Sequence, residues 1–212
     1  MAVPDHLVVA TRNLEEGAAW LEDRLGVPLL PGGKHLRMGT HNRLLGLGEG
    51  FYLELIAIDP ETPSPGRPRW FGLDDPNCLP GDRPRLIHWV ARCQDILAES
   101  RRAVHDCGEL LAMERGEYRW RITVPADGHL PGDGVLPTLI QWDVAVHPSQ
   151  RLPDSGCRLM KLEAFHPQPQ PLRTALAVLG LERAIDLQGG EPDAVPELVA
   201  FVRTPRGLVE LD

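Results

Sequence analysis

At 212 residues and 42% hydrophobic, the chain is long enough to bury its own core without disulfides or a structural metal. Its net charge of −8 and pI near 5.5 disfavour nucleic-acid phosphates and anionic membranes as partners. No apolar run approaches the roughly 18 residues of a spanning helix, no basic-then-apolar leader opens the chain, and the four cysteines lack CxxC spacing; a cytoplasmic protein with reduced thiols is expected.

In chain order, residues 5–11 alternate and are β-branched, as a strand requires. Asn13, with Glu16 three places on, begins a helix whose stripe is Trp20, Leu21 and Leu25 and whose stop is Gly26. Strands near 34–38, 41–47 and 51–58 follow. Seven prolines between Pro60 and Pro84 predict a linker without regular structure, although it carries the apolar pair Trp70-Phe71. A second unit begins with a strand at 85–92, then a helix from Asp95 to about Cys107 and strands near 109–114, 117–124 and 137–145. The Gly/Pro/Asp-rich stretch 125–136 reads as a lid. A third unit has a strand at 157–165, a helix from Pro171 to Leu179 and strands near 184–188, 197–203 and 207–211.

The order βαβββ thus recurs: a first module at 1–60, a linker at 61–84, a second module at 85–150 and a divergent third at 155–212. The fold class expected is α+β, with repeated βαβββ modules forming curved mixed sheets around a cleft. His6-Leu7-Val8-Val9-Ala10 and His88-Trp89-Val90-Ala91 read as one strand written twice. Tyr52-Leu53-Glu54-Leu55-Ile56 and Leu139-Ile140-Gln141-Trp142-Asp143 close the two copies, 48 positions separating His6 from Glu54 and 53 separating His88 from Gln141.

Polar groups inside apolar strands are costly unless something satisfies them. His6, Glu54, His88 and Gln141 at matched positions are therefore expected to share one divalent-metal site, open to zinc, nickel, iron, cobalt or manganese. Substrate contacts are expected from His41 and Arg43 on one strand face, from Tyr52, and from Arg119 and Arg121 flanking Trp120; Trp70 is a candidate stacking platform. His147-Pro148 reads as turn chemistry.

These motifs, with Gly26-Val27-Pro28 and the 39–48 hairpin, resemble the glyoxalase-like members of the vicinal oxygen chelate (glyoxalase/bleomycin resistance/extradiol dioxygenase) superfamily. The resemblance implies paired βαβββ modules with a divalent metal between them, held by the first and last strands, here His6, Glu54, His88 and Gln141. It implies a lyase, isomerase or dioxygenase acting on a small oxygenated metabolite, or alternatively a protein of the same fold that binds and sequesters a small molecule without chemistry. Gln141 departs from the acidic residue common at its place, and Lys161 replaces histidine in the third module. The third sheet, apolar on alternate positions, is expected to be covered by a homodimer, by the helices of the first two modules, or by pairing with the first module.

Overall fold

The computed structural model describes every residue except Pro80, so that one linker proline lies outside the described residues. The first unit contains β1 (Val3–Ala10), α1 (Leu14–Leu25), β2 (Leu30–His35), β3 (Thr40–Gly46) and β4 (Tyr52–Ile58). The second contains β5 (Arg85–Arg92), α2 (Ile96–Arg102), β6 (Glu109–Arg115), β7 (Tyr118–Val124) and β8 (Thr138–Trp142). Their strands form one eight-stranded sheet in the order β2-β3-β4-β1-β5-β8-β7-β6. Within each unit the first strand pairs in parallel with the last, and β1 and β5 join the units antiparallel.

Local chemistry explains the helices. The Asn13 side chain accepts from the backbone N–H groups of Glu15 (3.0 Å) and Glu16 (3.2 Å), and Gly26 ends α1 at φ 73°. The second helix stops at Arg102, shorter than the periodicity suggests. β2 begins at Leu30, earlier than expected, because a bulge lets an edge strand absorb Pro31-Gly32.

Alternation sends the two faces of the sheet to two cores. Leu7, Val9, Leu53, Leu55, Ala91 and Leu139 face outward beneath the helices. Val8, Ala10, Ile56, Val90, Ile122 and Ile140 face inward. The sheet curls until its edge strands β2 and β6 meet, where Arg37 donates to the Ala112 carbonyl and Arg115 reaches His35 and Asn42. The linker crosses the inner face. Its Trp70–Gly72 makes a single 3-10 turn that inserts Trp70 and Phe71, both nearly fully buried, between the sheet walls. The predicted irregular spacer is therefore a structural strap that fills the space expected to be an open cleft. The stretch expected as a lid likewise contributes buried Val135 and Leu136 to the outer core.

The third unit, β9 (Arg158–His166), α3 (Pro169–Leu179), β10 (Asp186–Gly189), β11 (Glu197–Thr204) and β12 (Gly207–Leu211), has the βαβββ order but a different sheet, β10-β9-β11-β12. Here the first strand pairs in parallel with the second rather than the last. Leu162, Ala164, Leu198, Ala200 and Val202 pack into the outer core with α1, α2 and α3. Leu86 N–H donates to the Asp212 carbonyl (2.9 Å), and Arg24 donates to the Glu210 carbonyl. The apolar face that suggested a homodimer is thus covered within the chain, which removes the premise of that expectation. Among the described residues, no helix is long and apolar enough to cross a membrane.

Ala200→Asp should consequently cost several kcal/mol by burying an unpaired charge, whereas Met160→Asp, on the solvent side of the same sheet, should change stability by less than about 0.5 kcal/mol. Thermal denaturation of the two variants checks this.

Candidate active site

The sequence expectation of four converging metal ligands is corrected by the strand register. In β1–β4 pairing, Val8 lies opposite Glu54; in the equivalent β5–β8 pairing, Val90 lies opposite Thr138. The counterpart of Glu54 is therefore Thr138, not Gln141. Gln141 faces the helix side, where its Oε1 accepts from Ile96 N–H at 2.9 Å and opens α2.

His88 is fully buried, and both ring nitrogens are used. Nδ1 donates to the Gly134 carbonyl (3.2 Å) and Nε2 accepts from Thr138 N–H (3.0 Å), with the Thr138 hydroxyl at 2.9 Å. Burial pushes its pKa down to about 3. His88 is thus a satisfied core histidine, separated from solvent by Phe71, whose ring centroid lies 5.6 Å away.

His6 and Glu54 do converge. His6 Nε2 lies 3.6 Å from Glu54 Oε2, and the imidazole stacks on Tyr52 at 4.5 Å. Burial, and then the Asp5 and Glu54 carboxylates, push the Tyr52 phenol pKa well up. A β-bulge makes the site: β1 pairs Pro4 with Ala91 and His6 with Val90, so Asp5 is the extra residue and shares the inner face with His6. Asp5 Oδ1 then sits 2.6 Å from His6 Nδ1. Asp5 Oδ2 accepts from His147 Nε2 (2.8 Å) and Trp142 Nε1 (3.2 Å). Burial alone would raise the Asp5 pKa, but the hydrogen bonds from His147 and His6 overcome it and hold the carboxyl well below the usual range. With Nδ1–H committed to Asp5, the His6 tautomer presents Nε2 to the cavity.

Opposite lies a second cluster. Asn42 Nδ2 donates to Glu54 Oε1, while Asn42 Oδ1 accepts from Gly33 N–H (2.9 Å) and Arg115 Nη1 (2.9 Å). Gly32 permits this approach, since a Cβ there would lie 1.9 Å from Asn42 Oδ1. Arg115 Nη1 also donates to His35 Nε2 at 3.1 Å. Desolvation, and then the Arg115 charge, hold the fully buried His35 well below its usual pKa. Trp70, Phe71, Trp120, Ile122, Ile140 and Trp142 complete the walls, leaving about 20 Å³ for the centres of water molecules, room for a few atoms at most.

The remaining sequence candidates fall elsewhere. His41 and Arg43 occupy the β3 face opposite Asn42, and Arg43 pairs with Glu15 of α1. Arg119 pairs with Glu114 and Arg121 with Asp143, while Trp120 between them faces the cavity. In both strands the pocket residue is the neighbour of the charged pair chosen from sequence. Tyr52 and Trp70 do line the pocket. Asp5, His35, Asn42, Arg115 and His147 were missed; the unpaired residue of a bulge and a side chain reaching between sheet edges leave no periodic signal.

The donor set does not fit a divalent ion. His88 and Gln141 are spent elsewhere, the His35 lone pair receives a guanidinium proton, and His6 with Glu54 supplies two donors beside the Arg115 charge. Among the described residues, no group of three or more His, Cys, Asp or Glu is placed to hold a metal.

A family profile described as a glyoxalase-like domain matches residues 5–180. A solved structure of a hypothetical protein from Staphylococcus aureus aligns over 99% of this chain and 84% of its own, with TM-score 0.63 and 15% identity, a likeness of fold. Methylmalonyl-CoA epimerase from Mycobacterium tuberculosis aligns over 68% of this chain and 88% of its own, with TM-score 0.43 and 20% identity. A methylmalonyl-CoA epimerase in complex with methylmalonyl-CoA aligns over 70% and 99%, with TM-score 0.43 and 16% identity. No curated protein matches the sequence.

Because His88 is held neutral while an unfolded histidine titrates near 6.5, the unfolded chain binds the extra proton as pH falls. Stability carried by His88 is complete above about pH 6.5 and should decline by roughly 1 kcal/mol per pH unit from there toward pH 3. His88→Ala should lose that slope and, by orphaning Thr138 N–H and the Gly134 carbonyl, cost about 3 kcal/mol at neutral pH. Denaturant unfolding across pH checks both.

Proposed function

Since the chain belongs to the glyoxalase-like domain family, we propose that it is an isomerase or lyase moving a proton at the carbon beside a carbonyl or carboxyl group of a small oxygenated metabolite. The observation that carries the reading is the Asp5–His6 pair, with Nδ1 tied at 2.6 Å and Nε2 turned toward Glu54 in a narrow cavity. The separation of His6 Nε2 from Glu54 Oε2, 3.6 Å, is too long for a direct hydrogen bond, so the Nε2 lone pair is left uncommitted for a substrate proton.

In this reading His6 Nε2 takes the proton from carbon. The electron pair of that C–H bond moves to the substrate oxygen, and Asp5 stabilises the imidazolium that forms. Arg115 supplies positive charge for the developing oxyanion, and the aromatic walls exclude water. Glu54, held by Asn42, lies beside His6 Nε2 and is placed to exchange a proton with the same part of the substrate. Return of the proton to carbon gives isomerisation; departure of a neighbouring group gives elimination. Dioxygenase chemistry and a metal-held substrate find no donor set in these residues.

A second reading is a binding protein of the same fold. The enclosed aromatic lining, with Trp70 and Phe71 stacked at 5.2 Å, favours it. Saturable binding without turnover is its signature.

The test is loss of Cα–H signal in D₂O, followed by proton NMR, over a panel of small 2-oxo acids, 2-hydroxy acids and hydroxyaldehydes. The parent protein should exchange at least one of them, and His6→Gln and Asp5→Asn should each lower that rate by about 10²- to 10⁴-fold without loss of fold. Exchange unchanged in His6→Gln would overturn the assignment.

A further inference from the structure

We infer that the cavity beside His6 recognises the carboxylate of a small organic acid through the Trp70 indole N–H and the Arg115 guanidinium. The inference rests on the proposed reading in taking this cavity as the substrate site. Two independent observations, on two residues that both adjoin His35, point to it.

Trp70 is 3% exposed, and its Nε1 has no hydrogen-bond partner among the described residues. By contrast, the Trp89 indole donates to the Val135 carbonyl at 2.9 Å and that of Trp142 to Asp5. An orphaned buried donor costs about 1–3 kcal/mol, so packing alone is a poor reason to place it there. The ring is nevertheless held firmly, edge-on to His35 at 5.1 Å and stacked on Phe71. Phe71 sustains φ 59°, a left-handed conformation costly for a bulky residue, to keep it so.

Arg115 is half-buried, and its hydrogen bonds go to neutral acceptors, His35 Nε2 and Asn42 Oδ1. Among the described residues no carboxylate lies within 4.0 Å of it, although most arginines here that make side-chain bonds near the surface have one, such as Arg121 and Arg151. Asn42 stands between Arg115 and Glu54, donating to one and accepting from the other, and so keeps the two charges apart. The guanidinium therefore retains donors and charge for an incoming anion. The narrow space limits that anion to a few atoms, with Trp120 and Trp142 against its hydrocarbon part. A carboxylate so held sets its neighbouring carbon toward His6 and Glu54.

The experiment titrates acetate, and its neutral isostere acetamide, into the ¹⁵N-labelled full chain while following the five tryptophan indole resonances. Trp70→Phe, which keeps the ring and deletes the donor, assigns the Trp70 signal. The expected result is a saturable downfield shift of that signal with acetate in the millimolar range, and about tenfold or greater weakening in Arg115→Gln. Arg115→Lys, retaining charge but not the fork, should fall between, and it serves should Arg115→Gln not fold. Acetamide should bind less tightly than acetate in the parent protein and be little affected by Arg115→Gln.

A Trp70 signal unmoved by acetate at about 100 mM, or equal acetate binding in the parent and both Arg115 variants, would overturn the inference and leave the orphan donor to a bound water. His6→Gln separates this from the proposed reaction. Acetate binding that survives in His6→Gln, with no exchange in the parent on any substrate, removes the reaction and keeps the carboxylate site. Exchange without acetate binding removes the carboxylate site and keeps the reaction.

Discussion

The buried Asp5 carboxylate is the constraint on which the site depends. A fully buried charge persists only if its lone pairs are filled, and here one donor is adjacent in the chain and two are distant. His6 is the next residue on the same strand, Trp142 ends β8 of the second unit, and His147 lies in the turn after it. His147 uses its other nitrogen to accept from Ser149 N–H, which fixes the tautomer that donates to Asp5. One carboxylate thus sets the orientation of His6 and ties the exit of the second unit to the entry of the first.

The pseudo-symmetry makes the chemical asymmetry plain. β5 carries a bulge at Ile87, where Val8 pairs with His88 and Val9 with Leu86, just as β1 carries one at Asp5. The bulged pair is Asp5-His6 in one unit and Ile87-His88 in the other; the facing residue is Glu54 in one and Thr138 in the other. Where the carboxylates are kept, the histidine presents a free nitrogen to a cavity. Where they are replaced by an aliphatic and a hydroxyl, the histidine bonds to backbone and closes the core. A shared backbone therefore supports a cavity-lining histidine in one half and a packing element in its mirror.

Closure follows from the same economy. The curled sheet brings β2 and β6 together, and Arg115 bonds across that seam, so the charge facing the cavity is also part of what joins the edges. The strap with Trp70 and Phe71 excludes water from the rest of the inner face. Low dielectric strengthens each of these polar contacts and raises the cost of leaving any one unmade.

The sequence by itself determined the element order, the duplicated strand, the α1 caps and the alternation that splits inner from outer core, because these are local and periodic. It also placed His6 and Glu54 together, since β1 and β4 pair His6 with Tyr52 and Val8 with Glu54 and so set both side chains on one face. What only the tertiary structure decided was everything that depends on the register within the second unit, on contacts between units or on parity. A three-residue difference in register makes Thr138, not Gln141, the counterpart of Glu54. One-residue alternation sends Asn42 and Trp120 inward and the flanking Arg43, Arg119 and Arg121 outward. The bulge at Asp5, the reach of Arg115 and the folding of a proline-rich strap into the cleft are set by where distant surfaces meet. No spacing along the chain encodes that.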